Sequence, residues 1–198
     1  SVSVLGTECS SSSLASCVLG SSCSSAISTS TSSTPAAIAF RRRAPTDSSE
    51  WATVPGTAQP STEDTIRYTR SAKEAGATAC LTATPYFNKP SQEGIFQHYA
   101  KLSTVGLPIV LYNVPGRTNG AATPATLQRL YDAHPELIAV KEATANMDVA
   151  TEIHMRCGGG LTVLAGDDSL ALPLAAVGGR GVMSVAANLV PTEMVELV

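Results

Sequence analysis

Leu137-Ile138-Ala139-Val140-Lys141-Glu142-Ala143-Thr144 is a short apolar run that ends on a lysine and then turns polar. A run of this length bounded by polar residues fits a buried strand. Period-2 alternation sends Val140 and Glu142 to one side of it and Lys141 to the other. About thirty residues upstream, Pro108-Ile109-Val110-Leu111 ends at Tyr112 and opens into Asn113-Val114-Pro115-Gly116-Arg117-Thr118. A lysine among apolar neighbours loses hydration, which lowers its pKa and leaves part of it neutral and nucleophilic. A tyrosine hydroxyl nearby can then move protons. An amine and a phenol, each at the end of a buried strand, suit a catalyst that captures a ketone as an imine. A Val-Lys-Glu triplet alone is usually a surface lysine at a strand end, so the neighbouring motifs must decide.

From Trp51 a strand–helix rhythm repeats about every 25 residues. Strands are expected at 51–54, 77–83, 108–112, 137–141, 161–165 and 181–185. Helices are expected between them, at 61–75, 92–104, 123–134, 147–157, 169–177 and from 192 onward. Ser61 with early acids starts the first, and Pro124 sits in the first turn of the third. Short apolar strands alternating with amphipathic helices mean parallel βαβ units. The polar motifs all follow the strands: Thr84–Asn88, Tyr112–Thr118, Lys141–Thr144, Gly166–Asp168 and Ser184–Asn188. A (β/α)8 barrel carries its chemistry on such loops. An open doubly wound sheet would too, but no Gly-rich dinucleotide loop opens a helix here. Six βα units are expected, two short of a closed TIM barrel.

The chain has 198 residues, enough for one sizeable domain. Thirteen basic against sixteen acidic side chains leave a net charge of -3, which calls for neither nucleic acid nor an anionic membrane. Five cysteines without zinc-type spacing fit a reducing compartment rather than a disulfide scaffold. Residues 1–49 differ from the rest. Ser and Thr dominate, Glu8 is the only acid before Asp47, and Arg41-Arg42-Arg43 lies near the end. Such a stretch buries too little apolar surface to order itself, so the domain division is a low-complexity segment, 1–49, and a partial barrel, 50–198. A transit peptide with a plastid location, a flexible tail and a misread stretch of gene all fit this composition. The third is favoured, because the two absent strands belong where the serines stand; a cytoplasmic location then follows.

Five ordered motifs carry a resemblance over roughly Gly56 to Val198: Leu81–Gly94, Tyr112–Thr118, Val140–Thr144, Gly166-Asp167-Asp168 and Gly181–Val185. Together they resemble the dihydrodipicolinate synthase (4-hydroxy-tetrahydrodipicolinate synthase) family, class I aldolase-type barrels. The resemblance implies that Lys141 forms the imine with pyruvate and that Tyr112 is the proton-relay tyrosine. It implies that Arg117 holds the carboxylate of aspartate semialdehyde, a task suited to a forked guanidinium. It puts Met183 where a backbone carbonyl lies near pyruvate. The product would be the heterocyclic precursor of diaminopimelate and lysine. No metal or organic cofactor is implied, and the family forms homo-oligomers, dimers or tetramers.

Several residues depart from that pattern. The family's Thr-Thr motif, one threonine binding the pyruvate carboxylate and the other bridging the relay, has no counterpart in residues 1–50. Phe87 stands where a second relay tyrosine would be donated across a subunit interface, and Tyr86 matches an interface and regulatory position. Pro60 and Asp64 occupy the approximate lysine-inhibitor positions, so feedback control is not expected. A C-terminal helical domain is also expected to be lacking. Two rivals remain: a sister pyruvate aldolase acting on N-acetylneuraminate or a keto-sugar acid, which Arg117 opposes, and an inactive barrel fragment, which Phe87 favours. Asp167-Asp168 could be a metal pair but reads as a loop and helix cap. His98, His134 and His154 read as surface or packing residues, Cys80 as core, and Gly158-Gly159-Gly160 as a helix exit.

Overall fold

A computed structural model describes Ser16–Leu19 and residues 53–198. Trp51, most of the Ser-rich stretch and the place of the lacking Thr-Thr motif lie outside the described residues. Five strands run parallel in chain order: β2 (Cys80–Ala83), β3 (Ile109–Asn113), β4 (Leu137–Glu142), β5 (Thr162–Ala165) and β6 (Gly181–Ser184). Helices α1 (Thr62–Glu74), α2 (Gln92–Ser103), α4 (Pro124–Ala133), α5 (Met147–Arg156), α6 (Ala171–Ala176) and α7 (Pro191–Leu197) alternate with them, and a single turn, α3 (Pro115–Thr118), follows β3. Side-chain oxygens of Ser61, Ser91, Thr123 and Asn146 accept the first free N–H groups of α1, α2, α4 and α5. The strand–helix order is the one expected for a partial (β/α) barrel.

Two expectations about strands change. Of the first strand, expected at 51–54, only Thr53 and Val54 are described, and with the residues that follow they run beside β2 without forming a regular strand. The carbonyls of Thr53 and Pro55 accept from Thr78 N and Leu81 N, and Gly56 bridges Leu81 in parallel. At the other edge, where composition predicts no regular element, Ser16–Leu19 forms β1 and pairs antiparallel with β6. The open main-chain groups of an edge strand offer such a run its partners. An antiparallel neighbour is not a member of the all-parallel ring of a (β/α)8 barrel.

Alternation divides the sheet into two faces. Val110, Ala139, Leu164 and Met183 pack together with Val54 and Ala79 on the inner face. Cys80, Leu111, Val140, Val163, Ala165 and Val182 pack outward against Ile95, Leu102, Leu127, Ile153 and Leu174 of the helices. One irregularity interrupts β4. The register steps from Ile109↔Leu137 to Val110↔Ala139, so Ile138 is an extra residue. Leu137 packs outward, whereas Ile138 and Ala139 both join the inner face.

Candidate active site

Tyr112 and Lys141 are register partners at the ends of β3 and β4, and Lys141 is also paired with Leu164 of β5. Both continue the inner face set by Val110 and Ala139. Lys141 is 5% exposed, and its Nζ lies 4.2 Å from the centroid of the Tyr112 ring. In its charged form the ammonium over this aromatic face is held electrostatically as well as sterically. Burial pushes the Tyr112 phenol above its ordinary pKa, the Arg117 guanidinium pulls it back, and Asp167 adds to the rise. The phenol therefore carries its proton at neutral pH.

Arg117 sits on α3, whose start is Pro115 and whose end is Asn119 in the left-handed region, φ 59°. The rigid turn expected there is this helical turn. The guanidinium is exposed to solvent, yet its charge is felt at the Tyr112 phenol. Met183 is fully buried on β6, on the same inner face as Leu164. Lys141, Tyr112 and Met183 thus share one face, with Arg117 on the loop beyond it. Tyr86 and Phe87 lie on the loop after β2. Phe87 is 85% exposed at φ 68° and meets only the edge of Tyr86 among the ring contacts, 5.3 Å between centroids.

Asp168 works differently from the expected cap of its own helix. Its Oδ2 accepts from Val185 N (3.3 Å) and Ala186 N (3.1 Å), so it ties the loop after β5 to the turn after β6. Among the described residues no three His, Cys, Asp or Glu side chains converge as a metal site. His98 is buried beside Tyr99, with Nδ1 2.9 Å from Thr62 Oγ1. His134 bonds Ser103, and Cys80 is core. Gly158 and Gly159 take φ of 58° and 72°, the left-handed exit from α5 that glycine permits.

Sequence reasoning missed the buried polar groups behind the site. Asn113 and Glu142 face the helices, and Asn113 Nδ2 donates to Glu142 Oε2 at 2.9 Å. Thr84, fully buried after β2, contacts Thr118 Oγ1 (2.9 Å) and the Gly120 carbonyl (2.8 Å). The available signal was a carboxylate at an outward position of a buried strand, which must find donors.

The family model described as the dihydrodipicolinate synthetase family matches residues 51–198. The chain belongs to this family. It is similar to the 4-hydroxy-tetrahydrodipicolinate synthases of Citrifermentans bemidjiense, 49% identical over 146 residues, and Bacillus subtilis, 42% identical over 146 residues. In both cases the match covers 73% of this chain and 50% of the relative. The solved dihydrodipicolinate synthase of Aquifex aeolicus superposes with a TM-score of 0.73 at 40% identity, covering 74% of this chain and 50% of the other. The chain spans about half the length of the curated relatives it matches. All the sequence motifs quoted above fall within the matched residues.

Proposed function

We propose that this protein is a Schiff-base lyase that condenses pyruvate with L-aspartate 4-semialdehyde to 4-hydroxy-tetrahydrodipicolinate, on the path to diaminopimelate and lysine. The observation that carries the reading is the buried Lys141 amine over the Tyr112 ring at the strand ends of a family barrel. The lysine nitrogen attacks the keto carbon of pyruvate, water leaves, and an imine links the two. Loss of a methyl proton gives the enamine, whose carbon attacks the aldehyde. The amine of the semialdehyde then displaces Lys141 from the imine carbon, closing the ring and freeing the enzyme. Tyr112, a protonated phenol, hands a proton to the pyruvate oxygen that leaves as water and, after taking one back, to the aldehyde oxygen that stays as the 4-hydroxyl. Arg117 receives the carboxylate of the semialdehyde, and the backbone carbonyl at Met183 lies against pyruvate.

No cofactor is required, because the imine is the electron sink. Half-buried Tyr86 and exposed Phe87 stand where the family resemblance puts a subunit contact, and on this reading the protein works in the cytoplasm. Among the described residues no helix is long and apolar enough to cross a membrane. Phe87 supplies no hydroxyl to a relay, so turnover by this chain is expected to be low while imine formation persists. Borohydride reduction in the presence of pyruvate, followed by peptide mass spectrometry, tests this. Label on Lys141, abolished by Lys141→Arg, is the expected result; an unlabelled Lys141 overturns the assignment. A panel of aldehydes offered with pyruvate separates aspartate semialdehyde from sugar-acid substrates.

A further inference from the structure

We infer that Glu142, acting through Asn113, is a positioning residue that holds the Arg117 loop and the Lys141 strand end in one frame; the role assigned to those two groups rests on the Schiff-base reading. Asn113 and Glu142 are the register pair directly after Tyr112 and Lys141. They therefore face the helices while the amine and phenol face inward. Both are buried, Glu142 at 2% exposure. Asn113 closes the 114–122 loop, its Oδ1 accepting from Ala122 N at 3.0 Å and its Nδ2 donating to the Ala122 carbonyl at 3.3 Å. The same Nδ2 donates to Glu142 Oε2 at 2.9 Å, and Glu142 Oε1 accepts from Thr144 N at 2.7 Å. Main-chain bonds complete the junction, from Ala143 N to the Asn113 carbonyl (2.9 Å) and from Gly166 N to the Glu142 carbonyl (2.7 Å).

The chemistry of this junction requires an acceptor on both oxygens at 142. Ala122 N fixes which way the Asn113 amide points, so the asparagine presents a donor to residue 142. Thr144 N presents another. A carboxylate satisfies both, whereas a glutamine amide satisfies one and sets donor against donor at the other. A leucine would extend the outward core but take the acceptor from two donors, Thr144 N and one N–H of the Asn113 amide. The loop bearing Arg117 and the strand bearing Lys141 are joined at this point by side chains, not by the sheet ladder alone.

The test compares the full chain with Glu142→Gln and with the double variant N113D/E142Q. In the double variant the polarity of the pair is reversed: the glutamine amide donates to the new carboxylate at 113, which still accepts from Ala122 N but gives up the 3.3 Å bond to the Ala122 carbonyl. Hydrogen exchange resolved by peptide, and borohydride trapping of pyruvate on Lys141, are measured for each. For Glu142→Gln, exchange across 114–122 and 143–146 is expected to accelerate on the order of tenfold or more, the cost of losing a charge-assisted bond. Val110, Val140 and Leu164 should stay protected, and trapping should slow by a similar factor. The double variant should recover most of the loss in both readouts, falling short of wild type by the long Ala122 carbonyl bond it gives up. A single variant indistinguishable from wild type, or a double variant no better than the single, overturns the inference. If the single variant is unfolded by circular dichroism, a folded double variant upholds the inference and an unfolded one overturns it. A wild-type chain that pyruvate cannot label sinks the Schiff-base reading, while the exchange comparison still decides whether the junction holds the loop.

Discussion

The Tyr112 phenol lies within the field of two opposite charges, and that makes its proton a local reporter. Burial raises its pKa, Asp167 raises it further, and Arg117 lowers it. Arg117→Ala should therefore raise the value again, and Asp167→Asn should lower it. Ultraviolet titration of tyrosinate, with the signal of a Tyr112→Phe chain subtracted, measures both; a shift of opposite sign in either variant would remove Arg117 and Asp167 from the neighbourhood of the phenol. Lys141 and Tyr112 were legible from sequence because each closes an apolar run at the same place in the βα rhythm. The turn that carries Arg117 was legible from Pro115-Gly116. The electrostatic coupling was not, since it depends on how near Arg117 and Asp167 each come to the Tyr112 phenol in space. Asp168 was misread for the same reason: its partners, Val185 N and Ala186 N, come from the next loop rather than from its own helix.

The strand ends of β4 and β5 meet too closely to admit another methyl group. A Cβ at Gly166 would come within 2.5 Å of Ala143 Cβ and 3.0 Å of the Glu142 carbonyl oxygen. Gly166→Ala should cost about 1–3 kcal/mol, the usual range for overpacking a tight contact. It should also weaken the 2.7 Å bond from Gly166 N to Glu142 O. Urea denaturation measures the loss, and adding Ala143→Gly should recover part of it, because Ala143 Cβ is the nearest obstacle. Unchanged stability in Gly166→Ala would mean the two loops are farther apart than described here. The helices were readable from sequence because amphipathic runs alternate with the strands and Ser61 and Pro124 mark two of the starts, while the caps at Ser91, Thr123 and Asn146 emerged only in the structure. Strand limits were harder. The expected 77–83 strand shortens to Cys80–Ala83, since Ala77 N closes the helix exit on the Ala72 carbonyl and Thr78 N reaches Thr53. β1 was not legible at all, because an edge strand takes its pairing from the neighbour's free groups rather than from its own pattern.

In the helix layer, burial shifts two neighbours on α2 far from their ordinary values, the Tyr99 phenol upward and the His98 ring downward, and only the second bears on stability below neutral pH. Burial holds His98 at about 4, opposed only by the charge of Glu63, and its Nε2 has no hydrogen-bond partner. An unfolded histidine titrates near 6.5. The stabilisation of the neutral ring is therefore complete above that pH and is lost as pH falls through the folded value. The loss amounts to about 3 kcal/mol for this group. His98→Phe should flatten the decline in urea stability between neutral pH and pH 4, whereas an unaltered slope would mean that His98 is solvated. The division of the sheet into an inner and an outer face was legible in sequence only where alternation is unbroken, and at Leu137 it is broken. In a strictly alternating β4, Leu137 and Lys141 would face the same way, yet Leu137 packs outward and Lys141 inward because Ile138 is extra. This gives the gene one codon of slack. A chain lacking Ile138 should keep its amine pointing into the lumen, with the strand merely regularised. Excising Val140 instead would exchange the two neighbours, driving the ammonium into the helix layer and a carboxylate toward the lumen. In-frame single-codon deletions scanned along 137–142 and assayed by pyruvate labelling would reveal that one permissive position beside an intolerant one.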